Sequence, residues 1–396
     1  MQVLGIFLTI YGILAVLYVV LQLSFAGKEN HVQNQKLADM LSKGETSDWT
    51  SSIIVPVYNE DPKVLTKCLS SLVRQKGDIE VIVVDDGSSN IEVLQPVYNQ
   101  FNQFPNVQVI LREENQGKRH VQKIGFDLAQ GEIIVTVDSD TILEDEYAVS
   151  KLLFRFNEDR VGAVTGDVRV ENSKINWITR MTKHRYWFAF FQERAAQSLF
   201  GMVLCCSGPF TAYRKDLIDQ VKDKYINEKF MGVLCTFGDD RHLTNLILQL
   251  KRKAVFAPYA TAYTYVPDTF HGFVKQQVRW SKSFFRESFW ALKNIRHESW
   301  YFYFCILTQL FLSVALIVSF ALMVIQVVLT HNFFILWTYI GVMIFMALIR
   351  VCYAIALTKD WNFLWFSFYG FIHILLLTPI RIYALFTINR THWGTR

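Results

Sequence analysis

The sequence predicts an α/β domain with a parallel-rich sheet, flanked by transmembrane and interfacial helices. Three observations favour this fold class. Strand-like and helix-like patterns alternate over about residues 50–145, long apolar runs stand at both ends of the chain, and a basic, aromatic segment, "VKQQVRWSKSFFRES" at 274–288, lies between the domain and the second apolar region. The 396 residues are 52% hydrophobic with a net charge of +5, so the distribution of apolar residues informs more than their average.

Two charge-free runs are long enough to cross a membrane. Residues 3–27 contain no charged side chain, and a helix needs about 20 apolar residues to span the hydrocarbon core. Residues 301–349 contain no Asp, Glu, Lys or Arg. At the same span length they fit two helices, expected at about 303–329 and 333–357, joined by the polar "THN" at 330–332.

A third apolar run, residues 361–388, is interrupted by Pro379 and Arg381. Proline breaks regular helix, and irregular backbone inside a membrane must be covered by protein. We therefore expect a broken re-entrant or interfacial segment here. The predicted organisation is a transmembrane helix at 1–27, a cytosolic domain at 28–268, amphipathic interface helices at 269–300, two transmembrane helices at 301–358, and a membrane-embedded or interfacial segment with a tail at 359–396.

The flanks of the first run predict its orientation. No Lys or Arg precedes it, whereas Lys28 and Lys36 follow it, so the positive-inside rule places the central domain in the cytosol. The run lacks a basic leader and a clear cleavage site, which favours a retained anchor over a signal peptide. The six cysteines show no paired spacing, and we expect them to be thiols.

Acidic residues follow two of the predicted strands. "EVIVVDDGSS" at 80–89 ends in Asp85 and Asp86, and "EIIVTVDSDT" at 132–141 ends in Asp138 and Asp140. Ligands of parallel-sheet folds bind beyond the carboxyl ends of strands, where both clusters fall. Carboxylates two residues apart can share one Mg²⁺ or Mn²⁺, which often bridges to phosphate. The alternative is a solvated turn with N-capping acids.

Two further segments carry candidate chemistry. In "GKRH" at 117–120, Lys118 and Arg119 could offset the charge of a diphosphate. In "FGDDRHLTN" at 237–245, Asp239 and Asp240 are adjacent, so one could have the raised pKa that a general base needs. These acids could equally be the favoured first-turn residues of a helix. The chain contains neither a P-loop motif nor GxGxxG, which counts against a P-loop NTPase or a Rossmann oxidoreductase.

Four motifs in order resemble the signature set of processive family-2 glycosyltransferases: "VDDG" at 84–87, "DSD" at 138–140, "GDDR" at 238–241 and "QQVRW" at 276–280. The resemblance implies a GT-A fold and inverting transfer of a sugar from a UDP-sugar, with Mg²⁺ or Mn²⁺ as cofactor. "ERAAQSL", "CSGP", "KSFFRES" and the terminal "WGTR" resemble bacterial class I hyaluronan synthases. "VPDT" at 266–269 and the single N-terminal span are similar to nodulation-type chitooligosaccharide synthases.

The resemblance also implies roles for individual residues. Asp240, with Asp239 beside it, would be the catalytic base, and Asp138 and Asp140 would bind the metal and the diphosphate. The implied substrate-binding residues are Asp85, Asp86, Lys118, Arg119, Cys206, Ser207, Gly208, Gln276, Arg279, Trp280, Trp393 and Arg396.

The implied protein is a multi-pass enzyme of the cell membrane whose partners are UDP-sugar donors, the nascent polysaccharide and membrane lipid. Neither nucleic acid nor an obligate protein partner is expected. Its product would be hyaluronan, made from UDP-glucuronate and UDP-N-acetylglucosamine, or a chitin-type chain made from the second donor alone. A third hypothesis is a transporter or an inactive scaffold. The intact acidic motifs count against an inactive scaffold, and the small number of spans counts against an independent transporter.

Overall fold

The computed structural model describes residues 2–43 and 47–390. Its strands are β1 (Ser51–Val57), β2 (Ile79–Asp85), β3 (Val107–Leu111), β4 (Ile133–Thr136), β5 (Thr141–Leu143), β6 (Val161–Val170), β7 (Thr211–Arg214), β8 (Lys229–Phe230), β9 (Val233–Leu234) and β10 (Lys253–Thr264). Its α-helices are α1 (Gln2–Lys43), α2 (Pro62–Leu72), α3 (Ile91–Phe101), α4 (Lys118–Leu128), α5 (Ala148–Leu153), α6 (Trp177–Trp187), α7 (Ala195–Ser198), α8 (Lys215–Ile226), α9 (Asp239–Gln249), α10 (Phe270–Asn294), α11 (Trp300–Thr330), α12 (Phe334–Thr358), α13 (Tyr369–Ile372) and α14 (Thr378–Phe386).

Eight strands form one sheet in the order β3-β2-β1-β4-β7-β6-β10-β5. Strands β3, β2, β1 and β4 are parallel, and β7 runs antiparallel between β4 and β6. The predicted α/β class with a parallel-rich sheet is therefore confirmed. Val57 pairs with Asp85, and Val137 donates its backbone N–H to the carbonyl of Ile54. The acids after β2 and β4 consequently lie at the same edge of the sheet.

The central strands are buried because helices cover both faces of the sheet. Ile53, Ile54 and Val55 in β1 have no exposed surface, and neither do Val83 and Val84 in β2. This is why these strands read as continuous β-branched runs without alternation. A strand packed on both faces has little freedom to slide, so its carboxyl end holds the acidic residues in a fixed place.

The N-terminal apolar run belongs to one long helix. Helix α1 has 42 residues, about 63 Å at 1.5 Å per residue, and it continues through the boundary predicted at residues 27 and 28. Its second half packs on the α/β domain, where Glu29 lies 3.1 Å from Arg155 and both side chains are buried. The helix is thus continuous across residues 27 and 28, and the buried ion pair joins its second half to the domain.

Four helical stretches among the described residues are long and apolar enough to cross a membrane: Ile10–Asp39, Trp300–Thr330, Phe334–Thr358 and Trp361–Phe386. The last is irregular. It begins as a 3₁₀-helix over Trp361–Phe368, becomes α13, continues as a π-helix over His373–Leu377 and ends as α14. Pro379 is the second residue of α14, directly after the π-helix, so it lies where the helical hydrogen-bonding pattern changes. Whether this segment crosses the membrane stays a prediction.

The segment predicted as interfacial helices is dominated by one helix, α10, which packs against α9 and α14. Phe285 and Arg286 are buried in the protein. Arg286 supplies no charge to a membrane surface, since its guanidinium is paired with Glu228 and Glu287 inside the domain. Lys282 also turns inward and donates to the carbonyl of Arg390 at 3.1 Å.

Candidate active site

The two acids after β2 shape the edge of the site. Asp85 is buried and accepts hydrogen bonds from the Ser88 backbone N–H at 2.8 Å, the Ser88 hydroxyl at 2.7 Å and the Tyr98 hydroxyl at 2.6 Å. Asp86 accepts from the backbone N–H groups of Gln116 and Gly117 at 2.9 and 2.8 Å. Burial raises the pKa of Asp86. Asp85 thus closes its own turn, and Asp86 anchors the loop that leads to Lys118.

Lys118 connects two acidic segments at the centre of the site. It is the first residue of α4, and its Nζ lies 2.6 Å from Asp138 Oδ1 and 3.1 Å from Asp239 Oδ2. Burial acts to lower the pKa of this lysine, but the carboxylates of Asp138 and Asp239 outweigh it and the pKa is raised. Gly208 lies directly alongside, because an added Cβ there would be 3.1 Å from Lys118 Nζ. The carboxyl end of β4 and the first turns of α4 and α9 therefore meet at the ammonium group of Lys118.

Asp138 and Asp140 stand two residues apart just after β4. The Thr264 hydroxyl donates to Asp140 Oδ1 at 3.0 Å and orients that carboxylate. Burial and the neighbouring Asp140 raise the pKa of Asp138 against the opposing effect of Lys118. Two crowded carboxylates of this kind are stabilised by a hard divalent cation, which prefers oxygen ligands. The donor set fits Mg²⁺ or Mn²⁺, with further ligands needed from a diphosphate or water.

Asp239 and Asp240 occupy the first turn of α9, after Gly238 with φ of 81°. Burial acts to raise the pKa of Asp239, but Lys118 and Arg119 outweigh it and hold the pKa low. Burial and the charge of Asp239 raise the pKa of Asp240. The sequence allowed either a base or first-turn acids, and the structure shows first-turn acids whose environments drive their pKa values apart. Such a separation is typical of acid–base sites.

The "CSGP" turn joins the site to α9. Cys206 is buried, and its backbone N–H donates to the Thr244 hydroxyl at 2.9 Å. The Arg194 guanidinium donates to the Ser207 hydroxyl at 2.6 Å. Cys206 and Ser207 thus fix the turn that brings the Gly208 backbone against Lys118.

Helix α10 presents the residues of the "QQVRW" motif. Trp280 packs beside Tyr186, with ring centroids 6.2 Å apart and an angle of 38° between the rings. Arg279 of α10 helps to lower the pKa of Asp239, so its positive charge acts on the first turn of α9. Among the described residues, the buried Oε1 of Gln276 has no hydrogen-bond partner. The arrangement offers an aromatic face with polar groups beside it, as a sugar site requires.

Comparisons with known proteins agree with this geometry. The family model "Glycosyl transferase family 2" matches residues 52–222. A hyaluronan synthase of Streptococcus pyogenes is 34% identical over 393 residues, which cover 98% of this chain and 90% of that protein. An N-acetylglucosaminyltransferase of Sinorhizobium fredii is 35% identical over 346 residues, covering 87% of this chain and 83% of the relative. The chain belongs to glycosyltransferase family 2. The resemblance to processive members of the family is thereby confirmed.

A solved structure is similar to this family-2 glycosyltransferase in fold. The mannosyltransferase PcManGT from Pyrobaculum calidifontis, in complex with GDP-Man and Mn²⁺, superposes with a TM-score of 0.60 at 16% identity. The match covers 96% of this chain and 98% of that one. The GT-A type of fold is therefore confirmed.

The structure does not bring Arg119 of this glycosyltransferase to the site. Its guanidinium is buried, lies 2.6 Å from Glu228 and donates to the carbonyls of Tyr225 and Phe237 at 2.9 and 3.2 Å. Adjacent residues of a helix point about 100° apart, so Lys118 and Arg119 cannot share one ligand easily. The diphosphate role assigned to Arg119 is accordingly replaced by a structural one. Trp393 and Arg396 lie outside the described residues.

Sequence reasoning missed two residues that shape the site, Tyr186 and Arg194. Both stand in the aromatic stretch "YWFAFFQER" at 186–194, which includes a π-helix over Phe188–Arg194. A π-helical turn is frequent at functional sites, but an aromatic run of this kind also fits an ordinary core. The contact of Tyr186 with Trp280 is long-range, so the local sequence carries no direct signal for it.

Proposed function

We propose that this glycosyltransferase is a membrane-integrated, processive, inverting enzyme that polymerises UDP-glucuronate and UDP-N-acetylglucosamine into hyaluronan and extrudes it. The observation that carries sugar transfer is the meeting of Asp138, Lys118 and Asp239 within hydrogen-bonding distance, with Asp240 next in the chain. For the product, the support is the similarity to a hyaluronan synthase over 98% of the chain, together with the "WGTR" motif at 393–396.

The donor diphosphate would lie at the carboxyl edge of the sheet, against Lys118 and the Gly208 backbone. Asp138 and Asp140 would hold Mg²⁺ or Mn²⁺, which when bound neutralises charge on the departing UDP. Lys118 adds a positive charge at the same place, and its three N–H donors can reach phosphate oxygens. A glycine at position 208 lets the backbone approach this charge closely.

The acceptor hydroxyl would be deprotonated by Asp240. A carboxylate whose pKa is raised by burial and by a neighbouring charge is a stronger base than a free aspartate. Trp280 and Tyr186 would bind the apolar face of the acceptor sugar, and Gln276 would receive one of its hydroxyl hydrogen bonds. The acceptor is then held on α10 while the base stands on α9.

A second candidate is a chitin-type synthase that uses UDP-N-acetylglucosamine alone. The specific observation in its favour is the 35% identity to the Sinorhizobium fredii protein named N-acetylglucosaminyltransferase. The site described above serves this reaction equally, since both require a UDP-sugar and an acceptor hydroxyl. The two candidates differ in whether a sugar carboxylate must be bound.

The deciding experiment is incorporation of labelled sugar by the purified, detergent-solubilised full chain with Mg²⁺. One reaction receives UDP-N-acetylglucosamine alone and the other receives UDP-glucuronate as well, with Asp240→Asn as the blank for both. Polymer that forms only with both donors and is degraded by hyaluronidase is the expected result. A chitinase-sensitive product from the single donor would replace the proposal with the second candidate.

A further inference from the structure

Five buried residues form a connected cluster behind the site, which we call the arginine clamp: Arg119, Glu228, His242, Arg286 and Glu287. Arg119 lies 2.6 Å from Glu228 Oε2, and Arg286 Nε lies 3.1 Å from both Glu228 Oε1 and Glu287 Oε1. His242 Nδ1 lies 3.0 Å from Glu287 Oε2. The five side chains come from α4, from the segment before β8, from α9 and from α10.

Both arginines of the clamp bind the same backbone group. Arg119 and Arg286 each donate to the carbonyl of Phe237, the residue before the turn that starts α9. Gly238 follows with φ of 81°, and a Cβ added there would lie 2.3 Å from the Ser283 hydroxyl of α10. The turn is therefore held by two guanidinium groups and wedged against α10, immediately before Asp239 and Asp240.

Helix α9 presents its base on one side and is fixed on the other. Asp240 and His242 are two residues apart, which places them about 200° apart around the helix axis. While Asp240 faces the site, His242 contacts Glu287 of α10 and packs edge-on against Trp290, with ring centroids 5.2 Å apart. Helix α9 thus contacts α10 through the face that lies opposite Asp240.

The same stripe of α10 carries the acceptor residues and the clamp. Gln276, Trp280 and Glu287 fall within about 40° of one another at 100° per residue, and Trp280 stands about 10 Å from Glu287 along the axis. Because α10 is one helix from Phe270 to Asn294, a shift at Glu287 moves Trp280 with it. Helix α4 joins the clamp through Arg119, whose side chain points about 100° away from that of Lys118, so the donor-side Lys118 is not itself a member of the clamp.

A metal ion is a poorer interpretation of the cluster. Ligand atoms of Glu228, His242 and Glu287 do lie within 4.8 Å of one another. However, the two carboxylates are already paired with two guanidinium groups, so the charges of the four groups sum to zero. A divalent cation would be repelled by both arginines, and the carboxylate oxygens are already engaged.

We propose that the arginine clamp sets the distance between the base on α9 and the acceptor sugar on α10, and that its members are positioning residues for transfer. The inference rests on the proposed function only in that the chain transfers sugar from a nucleotide donor to an acceptor. It requires neither of the two products. Misplacing reacting groups by about 1 Å can lower a rate about 100-fold, so a clamp of this kind has a measurable effect.

The test compares Arg286→Lys with a matched control, Arg155→Lys, in the full-length protein. Arg155 is also buried, and it likewise binds two carboxylates and one carbonyl, those of Glu29, Glu158 and Phe256. It holds α1 on the domain and contacts no site residue described above. For each variant, kcat per folded enzyme, donor KM and product length are measured with the donors that the wild type uses.

For Arg286→Lys we expect kcat to fall about 10- to 100-fold, donor KM to stay within about twofold and the product to shorten. Arg155→Lys should lower the yield of folded protein without changing these three quantities. Equal kcat and product length in the two variants would overturn the inference. If Arg286→Lys does not fold, Glu287→Gln is measured against the same control, with the same split between kcat and KM expected. A wild type that makes no polymer with either donor set would instead refute the proposed function.

Discussion

Asp239 and Asp240 are chemically identical neighbours that their surroundings make different. Lys118 Nζ lies 3.1 Å from Asp239 Oδ2 and stabilises the negative charge of that carboxylate. Asp240 is buried beside this negative charge, and both burial and the charge raise its pKa. The Asp240 carboxylate accepts a hydrogen bond from the Arg241 backbone N–H at 2.8 Å and one from the weakly donating Cys205 thiol at 3.4 Å. One of the pair is therefore suited to binding a cation and the other to accepting a proton.

The raised pKa of Asp240 predicts a pH dependence of transfer. The base must be ionised, so kcat should rise with pH as Asp240 loses its proton and level off above its pKa. Because burial and Asp239 raise that pKa, the acid limb should lie above the ordinary aspartate value of about 4. The measurement is kcat against pH at saturating donor. Asp240→Asn should abolish transfer with UDP binding retained, and normal polymer yield from this variant would remove Asp240 as the base.

Trp280 provides a second prediction at the scale of one side chain. Trp280→Ala removes the aromatic face beside Tyr186, so the acceptor should leave the enzyme sooner and the polymer should be shorter. Product length is measured by gel filtration at equal total incorporation. Trp337→Ala, which truncates an exposed tryptophan on α12, is the matched control. An unchanged length distribution in Trp280→Ala would contradict stacking at this position.

The sequence predicted the positions of those site residues that are determined by their immediate neighbours in the chain. Asp138 and Asp140 follow a β-branched strand directly, and strand ends meet at one edge of a parallel sheet, so their place could be predicted. Arg119 stands beside Lys118 in the same basic motif, and only the long-range contact of Arg119 with Glu228 separates their functions. Tyr186 was missed for a similar reason, because its partner Trp280 is distant in the chain.

Among the elements, the end of β4 carries the proposed metal site. Two carboxylates stand there, and crowding by Asp140 helps to raise the pKa of Asp138. Removing divalent metal with a chelator should stop polymer synthesis, and adding Mn²⁺ or Mg²⁺ should restore it. Asp140→Asn should raise the metal concentration needed for half activity, whereas Asp145→Asn, on the same segment and paired with Lys151, should not. Full activity in excess chelator would exclude the metal site.

Helix boundaries were predicted well where hydropathy changes sharply and poorly where a helix leaves the membrane. The spans expected at about 303–329 and 333–357 correspond to α11 and α12, since a charge-free run of this length has few alternatives. Helix α1 continues past its apolar run because buried Glu29 and Gln33 replace lipid contacts with protein contacts. Hydropathy alone cannot distinguish those two environments.

At the scale of the whole molecule, the number of membrane crossings decides on which side of the membrane the C-terminal tail lies. If α1, α11 and α12 cross and the catalytic domain is cytosolic, the turn between α11 and α12 lies outside and Lys359 lies inside. The irregular stretch Trp361–Phe386 then either returns the tail to the cytosol or carries it across. A tail that acts beside departing UDP must be cytosolic, so the role assigned to Arg396 depends on this segment.

Cysteine labelling with a membrane-impermeant maleimide tests this topology. Asn332, Lys359 and Asn389 are exposed, and each is replaced by cysteine in turn. Asn332→Cys should be labelled in intact cells, while Lys359→Cys and Asn389→Cys should be labelled only after permeabilisation. The wild type, whose Cys352 is exposed on α12, provides the background. Labelling of Asn389→Cys in intact cells would show that the last segment crosses, and the tail could then take no part in the cytosolic reaction.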